Sequence, residues 1–294
     1  MSKRILVPIE GNGRDAEALS MAISIAERIP SEVVLIHVAP AMFDTRDVVA
    51  TEQRLDEYTQ ELRANGINAH FLMEYGKPSV EIAQAARQQD AEMIVVAPEQ
   101  RAMLEVLWHR RVSSGLLERS TVPLLILPDI GSPLPTPELL YEPDARVILA
   151  VDGSENAEAA LPIAIELARA YQRPLVLVRV VPPVFVLGAG VDAMRARHNA
   201  QYAEVAEAHQ YLTETRQHIA TETQIHVETV ELVGPVVEQL VHLATSRTGS
   251  LLVMGTHGRG GVARAVVGSV AAGVMSHATT PLVIVPSHPE KSRP

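Results

Sequence analysis

The sequence predicts an α/β fold in two domains, each built on an open, mainly parallel sheet flanked by helices. Three observations carry this. Hydrophobic residues make up 47% of the chain but aromatic residues only 3%, so the apolar content is mostly Ala, Val, Leu and Ile, the mixture that packs helices on parallel strands. Short β-branched runs alternate with longer Ala-rich runs of helical period, as βαβ crossovers require. At 294 residues the chain has also reached the size, roughly 250 to 300 residues, at which one core gives way to two.

The pattern is written twice. RILVPIEGNG at the start returns as RVILAVDGSEN at Arg146–Asn156, and Gly76–Pro128 lies on Gly234–Pro286 without a gap, matching AEMIVVAPEQR to GSLLVMGTHGR and TVPLLILP to TTPLVIVP. Such internal similarity marks a duplication. Between the copies DIGSPLPTPELLYEPD, Asp129–Asp144, carries four prolines, which neither continue a helix nor donate in a central strand. The expected organisation is a first domain over 1–129, a linker over 130–144 and a second domain over 145–287.

In order, the first copy is expected to place strands at 4–9, 32–38, 67–74, 92–97 and 123–127. The second places them at 146–151, 174–180, 225–232, 250–254 and 281–285, with helices over 156–171, 192–221, 235–247 and 268–278. In the long run AMRARHNAQYAEVAEAHQYLTETRQHIA, Ala, Val, Tyr and Leu recur at helical spacing among charges, the mark of an amphipathic covering helix.

Composition excludes several functions. A net charge of −10 argues against broad attraction to nucleic acid or an anionic membrane, so any bound anion must be held locally. The chain has no cysteine, which rules out disulfides, thiolate metal sites and cysteine nucleophiles and fits a reducing compartment. The start, MSKRILVPIEGNGRD, lacks the apolar segment of a signal peptide, and no run reaches the roughly 18 residues of a membrane span. A soluble cytoplasmic protein is expected.

The segment GTHGRGGVARAVVGS, Gly255–Ser269, is the chemically distinctive one. It follows a strand and opens a helix, where ligands bind in open α/β sheets. Glycines 255, 258, 260 and 261 permit close backbone approach. Gly268 and Ser269 then present a helix start and a hydroxyl, an arrangement suited to phosphate, while His257, Arg259 and Arg264 supply further donors. A Walker A loop is excluded because it needs G-x-x-x-x-G-K-[ST], and the second copy has no lysine before Lys291. A dinucleotide fingerprint would follow the first strand of a unit, whereas these glycines follow the fourth.

The spacing G-x2-G-x9-G-[ST], met by Gly255, Gly258, Gly268 and Ser269, resembles the signature of ATP-binding universal stress proteins. VILAVDGSENA, VLVRVVPP and TTPLVIVP resemble that family's first, second and last strands, and the two copies together resemble a tandem universal stress protein over nearly the whole chain. The resemblance implies two doubly wound, Rossmann-like domains of five strands each, with ATP, accompanied by Mg²⁺, bound to the second. By position Asp152 matches the acidic residue near adenosine, Ala150 and Val151 just before it count with it among the nucleotide-binding residues, and Val180 matches a backbone contact to the base. Met254, Gly255, His257, Gly258, Arg259, Gly268, Ser269 and Val270 match residues lining the phosphate side. The competing reading is a surface turn with Asp152 as a helix cap.

The first copy departs from this pattern. Ala97, Gln100, Arg110 and Arg111 stand where Gly255, Gly258, Gly268 and Ser269 stand in the second, and APEQRAMLEVLWHRRVSS brings Met103, Leu104 and Trp108 into the loop. One nucleotide site per chain is therefore expected, with the HRR run at His109–Arg111 read as solvated charge. No catalytic constellation can be named, since hydrolysis needs a base for water and charge neutralisation at the γ-phosphate and Asp152 belongs to the adenosine end. A binding and signalling module is expected ahead of a slow ATPase or autophosphorylating enzyme, or a nucleotide-independent scaffold. PLLILP and PLVIVP, Pro123–Pro128 and Pro281–Pro286, are edge strands that invite pairing; with the resemblance they imply an internal pseudo-dimer of the two domains and a homodimer of chains.

Overall fold

A computed structural model describes residues 3–11, 14–40, 45–98, 115–128, 140–186, 188, 190–258 and 267–287. The first copy runs β1 (Lys3–Pro8), α1 (Asp15–Arg28), β2 (Ser31–Ala39), α2 (Thr45–Ala64), β3 (Ala69–Tyr75), α3 (Pro78–Gln88), β4 (Met93–Val96) and β5 (Leu124–Ile126). The second runs β6 (Val147–Ala150), α4 (Glu155–Glu158), α5 (Leu161–Ala170), β7 (Leu175–Val181), α6 (Val191–Thr223), β8 (Val227–Val233), α7 (Val236–Thr245), β9 (Leu251–Gly255), α8 (Ser269–His277) and β10 (Leu282–Val285).

Within each copy the strands are parallel and their order reverses beside the first strand, giving β3-β2-β1-β4-β5 and its counterpart β8-β7-β6-β9-β10. The chain thus has the α/β architecture expected. The two sheets are continuous, because β5 and β10 pair antiparallel, Leu282 opposite Ile126 and Ile284 opposite Leu124, the internal pairing that a pseudo-dimer of the two copies implies. A single ten-stranded sheet results. The short apolar edges that would invite pairing are thereby used inside the chain, which removes the argument for a homodimer through them.

Position in the sheet explains burial. β4, β5, β9 and β10 are buried throughout, whereas the outermost strands β3 and β8 are only partly covered. Alternation sends Ile5, Val7, Leu149 and Leu177 to one face, beside α1, α5 and α6, and Leu6, Ile148, Val176 and Ile284 to the other, beside α3, α7 and α8. The helix expected over 156–171 is divided between α4 and α5. Pro162, in the first turn of α5, has no N–H to continue the ladder, while Ala160 donates to Ala157 O in a tight turn of 3.2 Å.

Beyond the seam, Lys3 pairs with Glu166 at 2.5 Å and Ser24 shares a hydrogen bond with the Tyr171 hydroxyl at 3.1 Å. The Arg28 guanidinium lies 4.8 Å from the Tyr141 ring centre and 5.2 Å from that of Tyr171. The end of the linker is thus clasped between the copies.

Candidate functional site

The carboxyl ends of β6, β7 and β9 and the start of α8 enclose a cavity of about 780 Å³. Ala150, Val151, Asp152, Val180, Met254, Gly255, His257, Gly258, Gly268, Ser269 and Val270, all singled out from the sequence, line it. Arg259 and Arg264, with Gly260 and Gly261, lie outside the described residues.

The glycines are where side chains would not fit. A Cβ on Gly255 would come 2.6 Å from Asn156 O, one on Gly268 would come 2.7 Å from Thr256 O, and one on Gly258 would strike the Asp152 carboxylate. The Gly268 N–H donates to Thr256 O at 2.9 Å, tying the two ends of the loop together, and α8 then starts with no side chain capping it. Its first-turn N–H groups therefore depend on partners outside the helix.

Asp152 is not the cap of α4. Ser154 holds that position, its hydroxyl accepting from Ala157 N at 3.2 Å. Asp152 Oδ1 in turn accepts from Ser154 N at 3.0 Å and from the Ser154 hydroxyl at 2.6 Å. This orients the carboxylate so that Oδ2 is the atom a Gly258 side chain would meet.

The remaining walls divide by chemistry. Val178, Val180, Val236, Leu240 and Ala271 make an apolar slot between β7, α7 and α8, whereas Arg179 and Glu204 belong to the side covered by α6. Tyr211 of α6 donates to Glu158 at 3.3 Å. Burial, then the charges of Glu158 and, more weakly, Asp152, push its hydroxyl up to about 12, against the pull of a hydrogen bond with Thr215. His257 is held at the rim, with Nδ1 2.9 Å from the Ser287 hydroxyl and 3.1 Å from that of Thr256. Ser287 N donates to Thr256 Oγ1 at 2.9 Å.

Several of these residues escaped the sequence reading. Thr256 lies inside the glycine motif at a variable position, and Ser287 is distant in the chain from His257. Arg179 interrupts the apolar run LVLVRVV, a visible signal.

The corresponding strand ends of the first copy are held differently. Arg14, only 6% exposed, pairs with Glu17 at 2.6 Å and donates to Pro98 O at 2.5 Å and Pro128 O at 2.9 Å. It ties the ends of β4 and β5 together beside Ala97. Gln100, Arg110 and Arg111, like the rest of 99–114, lie outside the described residues.

A doubly wound sheet with a cleft at the carboxyl ends of its strands, glycine-walled on one side, is the arrangement in which open α/β sheets take their ligands. The sequence model of the universal stress protein family matches residues 1–128 and again 145–286, and the chain belongs to that family as a tandem member. A universal stress protein of Mycobacterium tuberculosis (strain CDC 1551 / Oshkosh) is 32% identical over 159 residues, 50% of this chain and 50% of the relative. The chain spans about half the length of the curated relatives it matches. The crystal structure of a universal stress protein from Archaeoglobus fulgidus superposes over 97% of both chains, with a TM-score of 0.66 at 19% identity. Another universal stress protein of Archaeoglobus fulgidus, solved in complex with dAMP, aligns with 43% of this chain and 97% of its own at 15% identity and a TM-score of 0.36.

Among the described residues no helix is long and apolar enough to cross a membrane. Among them too, no group of three His, Cys, Asp or Glu side chains is placed to hold a metal ion.

Proposed function

We propose that the second domain, 145–287, binds one ATP and that the chain acts as a nucleotide-dependent signalling or regulatory module. The observation that carries this is the convergence of Gly255, Gly258 and Gly268 with Asp152 and Val180 on one cavity, at positions where a Cβ would collide. The apolar slot suits a purine, Asp152 suits ribose or base donors, and the α8 start with the Ser269 hydroxyl suits phosphate. His257 and Arg259 are the side chains assigned to the phosphate end. Mg²⁺ would be held mainly by the triphosphate, with the Ser269 hydroxyl as a side-chain ligand. The first domain, 1–129, joined through 130–144, supplies structure and contacts in place of a second nucleotide site.

The test is direct. The purified protein is denatured and the released small molecules are identified by mass spectrometry, followed by calorimetric titration with ATP and Mg²⁺. One ATP per chain is expected. The absence of both released ATP and ATP binding would sink the reading; a stoichiometry of two would sink the assignment to one domain, and multiple-turnover phosphate release would make the protein an ATPase.

A further inference from the structure

The apolar period of α6 predicts a helix that covers the sheet, yet it does so only from its middle onward, its buried residues being Ala208, Leu212 and Ile219. Before Ala208 the helix runs past the core. Val33 and Ala69 are partners in the first copy, and Leu175 and Val227 are partners at the same places in the second, 36 and 52 residues apart. The second copy therefore carries 16 extra residues between β7 and β8, in the loop after β7 and the first turns of α6. The loop is fastened to the helix. Gln201 accepts from Val184 N at 2.8 Å and donates to Pro182 O at 3.5 Å, and the Arg197 guanidinium stands 5.7 Å from the Phe185 ring centre.

So braced, the extension is an ordered arm that holds apolar side chains in water. Val191 is 66% exposed, Met194 74% and Tyr202 71%, while His198 is exposed and Val205 half-buried. At about 100° per residue these five fall within about 80° of one another around the helix, beside the face that carries Ala208. Their spacing is a palindrome, with steps of 3, 4, 4 and 3 residues from Val191 through Met194, His198 and Tyr202 to Val205. A two-fold interface requires this property, because if residue i touches residue j, then j must touch i. With the axis at His198, antiparallel helices set Val191 against Val205 and Met194 against Tyr202, each contact made twice. Arg195 of each copy then stands beside the Tyr202 ring of the other, a cation–π pair. No carboxylate lies on the stripe to oppose the contact.

We propose that this stripe is a docking surface for a second copy of the chain, which pairs the two α6 arms antiparallel about His198. The pairing leaves the β5–β10 seam inside each chain, and the first copy, without the extra residues, supplies no second arm. Val191 to Val205 extends about 21 Å along the helix. Such an interface is small, so the dimer should form reversibly in the micromolar range.

Sedimentation velocity over a concentration series compares wild type with Met194→Asp/Tyr202→Asp and Met194→Lys/Tyr202→Asp, with folding checked by circular dichroism. Wild type is expected to dimerise. The first variant sets carboxylates against carboxylates across the axis and should weaken the dimer more than about a hundredfold; the second sets ammonium against carboxylate and should recover at least about tenfold of that loss. The chain has no cysteine, so single cysteines report the register independently of these variants. His198→Cys should form a disulfide-linked dimer on mild oxidation, because the two sulfurs meet at the axis, whereas Ala203→Cys, on the far side of the helix, should not. A wild type that stays monomeric at the highest concentration reached would overturn the inference and leave the stripe to a different protein. A dimer that persists in Met194→Asp/Tyr202→Asp, no recovery in Met194→Lys/Tyr202→Asp, or equal cross-linking of the two cysteine variants would overturn it as well.

Discussion

The two copies use one backbone carbonyl in opposite ways. Thr256 O in the second accepts from Gly268 N at 2.9 Å, folding the loop back so that α8 opens toward the cleft. The corresponding Pro98 O in the first accepts from the Arg14 guanidinium, which also holds Pro128 O. One copy spends this carbonyl on shaping a cleft, the other on bracing the ends of two strands. Sister domains with the same strand order can thus diverge at the switch point alone, where the sheet leaves its loops unconstrained.

The largest test of this difference is Gly268→Asp. The new side chain would meet Thr256 O and place a negative charge where phosphate is proposed, so ATP affinity should fall more than about a hundredfold, the scale of an unpaired charge in a polar site. Calorimetry that finds wild-type affinity would show that the glycine loop is not the phosphate site.

Next in size is the seam the copies share. Ile284 is fully buried in β10 opposite Leu124, and Ile284→Ala should cost about 3 kcal/mol of stability by denaturant unfolding. A cost near zero would mean that β5 and β10 do not share a core. Arg14→Ala should come third, at about 2 kcal/mol, because it leaves two strand-end carbonyls and Glu17 without their charged donor. Nucleotide stoichiometry should stay at one per chain, as it should for Arg110→Ala and Arg111→Ala. A second site appearing in Arg14→Ala would show that the arginine alone had closed the first copy.

The smallest effect is electrostatic. Glu32 lies between Arg4 at 3.0 Å and His70 at 2.9 Å. Burial would raise its carboxyl, but the hydrogen bonds and charges of Arg4 and His70 outweigh it and hold the group below the ordinary carboxylate range. A folded-state value below the unfolded one stabilises the protein fully above the unfolded value and is lost as pH falls through the folded one. Thermal melts from pH 7 into that acidic range should therefore lose about 1 kcal/mol more in wild type than in Glu32→Gln. Parallel curves for the two proteins would remove Glu32 from the acid response.

Much of the fold was legible because apolar period and repetition are local properties. All ten strands lie within a residue or two of their expected places, and the division of α4 from α5 turns on Pro162, a residue visible in the sequence but read as part of one helix. The candidate cavity was partly legible, since Gly255, Gly258, Gly268 and Ser269 announce themselves by spacing. Arg14, Arg179 and Ser287 did not, because what matters about them is which distant carbonyl, carboxylate or imidazole they meet.

The sequence by itself determined a duplicated α/β chain with one glycine-rich loop, because strand and helix periods and the turn requirements of glycine are written residue by residue. Only the tertiary structure decided the antiparallel register at which the two sheets join, Leu282 opposite Ile126, and that the first copy is braced by Arg14. Each of these depends on hydrogen bonds or packing between segments far apart in the chain, which no local pattern records.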